Sequence, residues 1–418
     1  MKRRYSYPIV AIFITAALYG GFELLRPSQE VVLGEISRGV FNQKSDAPQK
    51  SLEERIHEAR ERSQNVKGLY MTAAVANDQG QAAIFLREKI LRLTDETELN
   101  GVVIDVKETE GREITENLYP LIQRLKAKEI WTIARIATFR DNSQIAAHPD
   151  YYLKRTDGKI WRDRKGNAWM DPASPGARDY MMGFSKEVAD LGFDELQFDY
   201  IRFPSDGDTA NIVYPFYQAS TTPKHKALAD FFSFLHQGLK EHKPEIILSA
   251  DLFGYAAIQR EDLGIGQRLE DIGNYFDYIS LMLYPSHFYS GFYVPADPVR
   301  NLAAISMPYR AKNISVTASA NPYEVVFRSL NAASDILAGK FVGASTSSTA
   351  ATTSPKKISD AKLRPWLQDF DLSSDSSLGI FYDAKAVRAQ IDAAEKAGAS
   401  GWLLWSPTNT YTERALKK

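Results

Sequence analysis

The sequence predicts an α/β protein with a (β/α)8 TIM-barrel fold, and two observations support this prediction. First, eight strand-like apolar runs alternate with helical patterns over about 340 residues, as in a closed parallel barrel. Second, several runs end in charged or aromatic residues, and such barrels carry their active sites at the carboxyl ends of the strands. A doubly wound open sheet is the alternative. It is weakened because the turn at 76–80 contains one glycine instead of a glycine-rich phosphate-binding motif.

The alternating elements are predicted to form a single domain at 67–412. Strands are predicted at 69–76, 101–107, 130–137, 192–199, 246–253, 278–284, 364–370 and 401–406. Helices are predicted at 81–94, 118–125, 176–191, 224–241, 323–337 and 383–397.

Two segments interrupt the alternation of strands and helices. An insertion at 294–320 follows the sixth strand, and a Ser/Thr-rich stretch at 343–358 predicts a disordered surface loop because of its low complexity. This stretch could instead mark a domain boundary. However, only about sixty residues follow it, too few for a comfortable second core.

The first 25 residues combine the basic segment Lys2-Arg3-Arg4 with an apolar run from Pro8 to Phe22, which is typical of an export signal or a signal anchor. An uncleaved transmembrane anchor is preferred, because the run lacks a clear small-x-small cleavage site and approaches the ~20 residues that span a bilayer. A cleaved signal peptide is the alternative. The basic residues would stay cytoplasmic, so the polar tether at 26–66 and the barrel are expected outside the membrane, in the cell envelope or secreted.

Composition excludes several classes of protein. The 418 residues carry a net charge of −1 and include no cysteine, which argues against nucleic-acid binding, disulfides, thiolate metal sites and a cysteine nucleophile. The six histidines show no metal-binding spacing, and no G-x-S-x-G elbow is present. The sequence therefore predicts neither a metal nor a cofactor.

Polar side chains gather at the predicted carboxyl ends of the strands. Alternation in the fourth strand directs Leu196 and Phe198 outward and Asp199 inward. Each polar side chain could singly be a capped turn or an ion pair, such as Asp199 with Arg202, but several carboxylates on one rim would repel unless a substrate or proton separated their roles. The catalytic candidates are Asp199, Asp251 and Asp105. The substrate-binding candidates are Lys107, Glu108, Arg135, Arg202, Tyr284, His287, Gln368 and Trp405.

Paired carboxylates with flanking aromatic rings suit glycoside cleavage, in which one acid protonates the leaving oxygen and a second carboxylate attacks or activates water. Asp199 is expected to be the nucleophile, held ionised by Arg202 and Arg135, with Asp251 as the acid/base because apolar neighbours desolvate it. Asp105 could take either part or orient the sugar, and Lys107 is expected to keep it charged. A separation of ~5–5.5 Å between Asp199 and Asp251 would indicate retention of configuration.

The tryptophans supply candidate rings for stacking on sugars. Trp161 and Trp169 lie in the long third loop, where no core demands them. Trp405, at the end of the last strand, is the better stacking candidate. Trp366 and Trp402 fit core packing at least as well as ligand stacking.

Several motifs resemble a known family. They include F-D-Y-I-R-F-P at 198–204, R-P-W-L-Q-D-F at 364–370, G-V-V-I-D-V-K at 101–107, L-Y-P-S-H at 283–287 and G-W-L-L-W at 401–405. Over about 68–412 they resemble, in order, the Putative glycosyl hydrolase domain family of bacterial exported proteins. The resemblance implies a TIM barrel and membership of the wider set of barrel glycosidases. The insertion at 294–320 and the Ser/Thr-rich stretch depart from the family pattern, and the insertion could overhang the rim and alter specificity.

The sequence therefore predicts a membrane-anchored glycoside hydrolase that cleaves an envelope or extracellular polysaccharide or oligosaccharide. The alternative is a non-catalytic barrel of the cell envelope that binds glycans. The two share a fold and aromatic rings, but only the enzyme depends on acidic groups.

Overall fold

The computed structural model describes residues 50–340 and 357–418, and eight parallel strands in this part of the chain close into a barrel. In chain order the barrel strands are β1 Val66–Met71, β2 Gly101–Glu108, β3 Trp131–Ala137, β4 Glu195–Asp199, β5 Ile247–Phe253, β6 Tyr278–Met282, β7 Trp366–Gln368 and β8 Gly401–Trp405. Strand β1 pairs with both β2 and β8, so the sheet closes on itself and is not a doubly wound open sheet. The predicted TIM barrel is therefore confirmed.

Helices surround the barrel. The longer helices of the described residues are α1 Leu52–Arg62, α2 Gln81–Glu96, α3 Leu118–Lys126, α4 Pro175–Asp190, α5 Lys224–His242, α6 Pro322–Leu337 and α7 Ala384–Lys396. Shorter α-helices are Ala73–Asn77, Leu269–Ile272 and Ser373–Ser376. Single 3-10 turns are Pro149–Tyr151, Thr209–Asn211, Gly254–Ala257, Pro285–His287, Ile314–Val316, Ala318–Ala320 and Glu413–Ala415. Helix α4 begins where the sequence directs it, because the Ser174 side chain accepts a hydrogen bond from Ala177 N–H and Pro175 occupies the first turn.

Short strands decorate the connections. Phe292–Val294 pairs antiparallel with Ile305–Met307 and forms a hairpin at the predicted insertion. Lys154–Arg155 pairs antiparallel with Ile212–Val213. Gly111–Arg112 extends β2 as a hairpin, and Lys362–Leu363 pairs parallel with β6.

Strand β4 shows how alternation divides the barrel into two cores. Leu196 and Phe198 face outward into the large apolar core beneath the helices, and both are fully buried. Glu195, Gln197 and Asp199 face the barrel interior, where polar and aromatic side chains from the other strands meet them. The inside of this barrel is thus filled by layers of packed polar and aromatic side chains.

The beginning of the barrel differs from the sequence-based prediction. The first strand ends at Met71, five residues before the predicted end, because the Thr72 side chain accepts a hydrogen bond from Val75 N–H and starts the helix Ala73–Asn77. Helix α1 and Val66 were assigned to the tether, yet they belong to a compact unit that begins at Lys50. A capping box between Ser51 and Glu54 fixes the start of α1.

The predicted signal anchor at 1–25 and nearly all of the predicted Ser/Thr-rich loop lie outside the described residues. Within 50–340 and 357–418, no helix is both long and apolar enough to cross a membrane.

A buried ion pair closes the amino-terminal end of the barrel. Arg364, just before β7, lies 2.7 Å from Glu195 on β4, and neither side chain has any exposed surface. Trp131 donates its indole N–H to the same glutamate. The Arg364 guanidinium also donates to the Ser63 carbonyl at 2.7 Å and lies 3.7 Å from the centroid of the Tyr278 ring. Because Ser63 ends α1, this arginine fastens α1 to the barrel.

Replacing Arg364 by methionine is expected to lower the free energy of unfolding by about 3–5 kcal/mol, because Glu195 would stay buried without its cation. The double variant E195Q/R364M should recover much of this loss, since no buried charge remains. The control R92M removes an arginine from half-exposed pairs with Glu96 and Glu413 and should change stability by only ~0.2–1 kcal/mol. Urea unfolding measures all three, and an R364M loss no larger than that of R92M would contradict the prediction.

Candidate active site

An open cavity of about 500 Å³ lies at the carboxyl ends of the barrel strands. Two carboxylates belong to its wall: Asp199 at the tip of β4 and Asp251 on β5. The register that pairs Phe198 with Ala250 places these aspartates side by side on neighbouring strands, which lie ~4.8 Å apart in a sheet. The barrel therefore presents two acidic side chains to one space.

Much of the remaining wall is aromatic. Rings come from several strands and loops, among them Tyr200, Tyr284, Tyr289, Trp366, Phe370 and Trp405. Trp405 stacks on Tyr70 with 3.9 Å between ring centroids, and the Trp366 ring meets Trp405 edge-on. A cavity with apolar rings and a few convergent polar groups is the usual form of a small-molecule or sugar site.

Arg135 on β3 is the electrostatic centre of the site. Its guanidinium lies 2.6 Å from Asp105, 2.6 Å from Glu108, 2.5 Å from Asp199 and 3.7 Å from Asp251. Only 4% of the Arg135 side chain is exposed. One buried cation thus faces four carboxyl groups, so the site cannot hold all four ionised without strong repulsion.

Asp199 is surrounded by donors that complement a negative charge. Besides Arg135, the backbone N–H of Tyr200 donates to Asp199 at 2.6 Å. Tyr200 has a φ of +53°, a left-handed conformation that a bulky side chain rarely adopts. This turn at the end of β4 directs the Tyr200 amide toward the carboxylate.

Asp251 has the opposite environment. Its side chain is 1% exposed, and it accepts a hydrogen bond from the Trp366 indole at 2.8 Å. Burial raises the pKa of Asp251 well above its usual range, and the neighbouring Asp199 charge raises it further. The environment therefore favours the protonated form of Asp251.

Asp105 and Glu108 both form ion pairs with Arg135, which lines the cavity. Asp105 is buried, where it accepts a hydrogen bond from the Tyr70 hydroxyl, and burial raises its pKa to about 7. Glu108 is also largely buried, yet the Arg135 guanidinium outweighs this desolvation and lowers the Glu108 pKa. These two acids therefore hold the Arg135 guanidinium in place.

The structure places four predicted substrate-binding residues in the cavity wall: Arg135, Tyr284, His287 and Trp405. Burial lowers the pKa of His287, which favours a neutral imidazole. Its Nδ1 is buried and has no hydrogen-bond partner within the described residues. The imidazole ring therefore forms part of the cavity wall in its neutral form.

Lys107 was predicted to bind substrate and to keep Asp105 charged, and the structure contradicts both roles. A β-bulge between Asp105 and Lys107 shifts the register, so that Lys107 pairs with the outward residue Ile136. The lysine is fully buried, donates to the Ala137 carbonyl and lies 2.7 Å from Asp141. The same bulge returns the next residue, Glu108, to the inner face.

Arg202 was expected to hold Asp199 ionised, but its guanidinium lies elsewhere. It donates to Phe203 O and to Ser205 Oγ, both at 3.1 Å, and lies 4.7 Å from the Trp169 ring centroid. Burial lowers its pKa to about 10. The chain reverses at Tyr200, and this reversal carries Arg202 into the third loop.

Gln368 was expected to bind substrate, yet it is a fully buried structural residue. Its amide donates to Ser286 Oγ and to the Phe370 carbonyl, each at 2.9 Å, and accepts from the Ser286 N–H. No donor of this amide is left for a ligand, because both are used to join the loop after β6 to the end of β7.

The long third loop contains its own core, contrary to the expectation that its tryptophans serve ligands. Trp161 and Trp169 are each 1% exposed. The Trp161 indole donates to Asp208 O and the Trp169 indole donates to Asp163. Arg202 covers one of these rings, so the loop buries aromatic surface against itself.

Sequence reasoning underrated two residues of the site. Trp366 contacts Asp251 directly, and its signal was an inward position on β7 two residues after Arg364. Tyr70 bonds to Asp105 and stacks on Trp405. It was missed because the first strand was predicted to continue past Met71, which hid Tyr70 as a residue of the strand tip.

An eight-stranded α/β barrel with two carboxylates and aromatic rings around one cavity is the architecture of a glycoside hydrolase domain. The model of the Putative glycosyl hydrolase domain family matches residues 110–411. The chain belongs to this family of glycosyl hydrolase domains, as the sequence motifs indicated. The match begins after β2, although the structure includes β1 and β2 in the same barrel.

The chain is similar to several solved structures. The glycoside hydrolase domain of PgaB (BpsB) from Bordetella bronchiseptica is 13% identical, with a TM-score of 0.53, over 83% of this chain and 94% of that chain. A hypothetical protein from Ruminiclostridium thermocellum is 23% identical over 47% of this chain and 98% of that chain, with a TM-score of 0.37. The glycoside hydrolase domain of PelA from Pseudomonas aeruginosa is 12% identical over 83% and 96%, with a TM-score of 0.40. No curated protein matches the sequence.

The variant D251N is expected to stabilise the protein at pH 7, by about 2 °C or more in Tm. In the unfolded chain an aspartate ionises near pH ~3.9, whereas the buried Asp251 resists ionisation, so its stabilising contribution is full below that pH and is lost as pH rises toward the folded-state pKa. The Tm gain of D251N should therefore widen from pH 4 to pH 7. The control D179N changes an exposed carboxylate on α4 and should leave Tm unchanged at both pH values. A gain for D251N that does not grow with pH would show that Asp251 is ionised in the folded protein.

Proposed function

We propose that this protein is a glycoside hydrolase that cleaves a polysaccharide of the cell envelope or the extracellular space, with retention of configuration. The observation that carries the proposal is the pair Asp199 and Asp251, which line one cavity from neighbouring strand tips in opposite electrostatic environments. When the environments of two carboxyl groups give them different pKa values, one group can serve as the nucleophile and the other as the acid.

In the first step Asp199 attacks the anomeric carbon. The bond from this carbon to the leaving oxygen breaks, and Asp251 transfers its proton to that oxygen. Arg135 and the Tyr200 N–H fix the attacking carboxylate. In the second step the Asp251 carboxylate takes a proton from water, the hydroxyl oxygen bonds to the anomeric carbon, and Asp199 is released. The Trp366 indole donates a hydrogen bond to Oδ1 of Asp251, so Oδ2 is the oxygen that carries the proton.

The Asp105, Glu108 and Arg135 cluster supports this pair. While Asp251 is ionised in the second step, Arg135 at 3.7 Å limits its repulsion with the rest of the site. Asp105 acts here through Arg135, because it is buried, accepts a hydrogen bond from the guanidinium and is held by the Tyr70 hydroxyl. This assignment makes Asp105 a positioning residue.

A non-catalytic glycan-binding barrel is the second candidate, and the deep burial of Asp251 favours it. A carboxyl group that is 1% exposed must meet the glycosidic oxygen from within the cavity. If substrates stopped short of Asp251, the aromatic wall alone would bind glycans.

The two candidates differ in their dependence on the carboxyl groups. On a panel of laminarin, xylan, chitosan, polygalacturonate, dextran and peptidoglycan, the wild type should release reducing ends from at least one glycan. D199N should abolish this release, and D251N should lower kcat by about 10²–10⁴-fold because general acid catalysis is lost. D179N, on the exposed face of α4, is the matched control and should retain full activity.

Affinity electrophoresis of the same variants in gels that contain each glycan measures binding. D199N should be retained as strongly as the wild type. Retention without turnover by the wild type on the whole panel would favour the binding barrel, and undiminished turnover by D199N would reject the proposed nucleophile.

We further propose that the barrel lies outside the cytoplasm, joined to a membrane anchor within residues 1–25. The support is the Lys2-Arg3-Arg4 flank and the apolar run after it. Protease added to intact spheroplasts of an expressing bacterium is expected to digest the barrel, while a cytoplasmic marker stays intact. Protection of the full-length chain would show that the orientation is wrong.

A further inference from the structure

Aromatic side chains continue from the cavity onto the outer surface of the insertion after β6. Inside the cavity, the His287 ring meets Phe370 and Tyr284 at centroid distances of 5.7 Å and 5.4 Å. On its outer side, His287 meets Tyr289 at 5.4 Å, and Tyr289 meets Tyr309 at 5.1 Å. The rings therefore form an unbroken row from the reacting centre to the rim.

The outer part of this row is open to solvent. Tyr289 belongs to the cavity wall and is nevertheless 52% exposed. Tyr309, the next ring of the row, is partly buried and keeps only part of its surface exposed. Large apolar rings that remain exposed beside a site commonly mark a binding surface. We call Tyr289 and Tyr309 the rim platform.

The backbone beneath the rim platform is fixed. The Tyr255 hydroxyl accepts from Ser290 N–H and donates to Gly291 O. Gly291 has a φ of +82°, and a Cβ there would lie 3.1 Å from Met307 O on the paired strand. Only glycine fits this turn, so the loop that carries Tyr289 is tied to the hairpin.

The hairpin itself is anchored to the barrel. Phe288 and Phe292 pack edge to face at 5.1 Å beneath it. From α6, the buried Arg328 donates to Pro295 O and Ala303 O, one on each side of the hairpin. Arg310 lies 5.0 Å from the Tyr309 ring centroid and orients that ring. The rim platform is therefore positioned before any ligand arrives, which limits the entropy lost on binding.

We propose that the rim platform is a distal sugar-binding subsite, which holds units of the polysaccharide several residues away from the cleaved bond. This inference rests on the proposed function, because it takes the occupant to be the same chain whose scissile bond reaches Asp199. The occupant follows from continuity: a glycan that leaves the cavity along the aromatic row must cross Tyr289 and then Tyr309. The site therefore selects long chains over short oligosaccharides.

The test compares two substrates of one glycan: the polymer that the wild type cleaves best in the panel, and its shortest cleavable oligosaccharide. Y289A and Y309A are expected to lower kcat/KM on the polymer by roughly 3- to 10-fold each, as befits the loss of one aromatic contact. On the short substrate Y309A should match the wild type, whereas Y289A, which also lines the cavity, should lose less activity than on the polymer. Y289F and Y309F keep the rings and should retain polymer activity.

The control F85A removes a ring that is 68% exposed on α2, and it should change neither activity. Circular dichroism shows whether each variant is folded. Equal losses on both substrates would overturn the proposal, because Tyr289 would then serve the reacting sugar. No loss on the polymer would overturn it as well.

A separate measurement distinguishes failure of the subsite from failure of the proposed hydrolysis. D199N and the triple variant D199N/Y289A/Y309A are compared by affinity electrophoresis in gels that contain each panel polysaccharide. Retention of D199N that falls in the triple variant supports the rim platform even if the wild type releases no sugar. Equal migration of the two proteins in every gel, with or without retention, overturns it.

Discussion

The site depends on a single guanidinium, that of Arg135, buried among four carboxyl groups. One positive charge cannot balance four negative charges in a medium of low dielectric constant. The acids therefore divide: the guanidinium lowers the pKa of Glu108, whereas burial raises the pKa of Asp251 and Asp105. The same imbalance that is unfavourable for folding places the carboxyl groups of one site in different electrostatic environments.

The layers of the barrel interior explain the roles of the residues along β4 and in the motif at 364–370. Along β4, Glu195 closes the amino-terminal end and Asp199 opens onto the cavity, with Gln197 between them. In the motif at 364–370, Arg364 meets Glu195 while Trp366 meets Asp251. Each segment thus joins the buried ion pair at one end of the barrel to the cavity at the other, because inward positions recur every second residue. Residues of one motif need not share one role.

The loops around the cavity are built as small cores of their own. The third loop buries Trp161 and Trp169, and the insertion after β6 buries Phe288 and Phe292. Because these small cores hold the loops in one conformation, the loops present fixed surfaces at the rim, at a cost in conformational entropy. This construction explains why the conspicuous tryptophans of the third loop are structural, whereas Tyr289 stays exposed at the rim.

The sequence by itself determined the barrel, most element positions, and the neighbouring inward placement of Asp199 and Asp251, because periods of two and of 3.6 residues are written locally. It also indicated Arg135, Tyr284, His287 and Trp405, which do reach the site. The tertiary structure decided the rest. A bulge set by pairing with β3 turned Lys107 outward and Glu108 inward, and a left-handed Tyr200 carried Arg202 away from Asp199. Cross-strand register and backbone reversal depend on partners distant in the chain, so no local pattern encodes them.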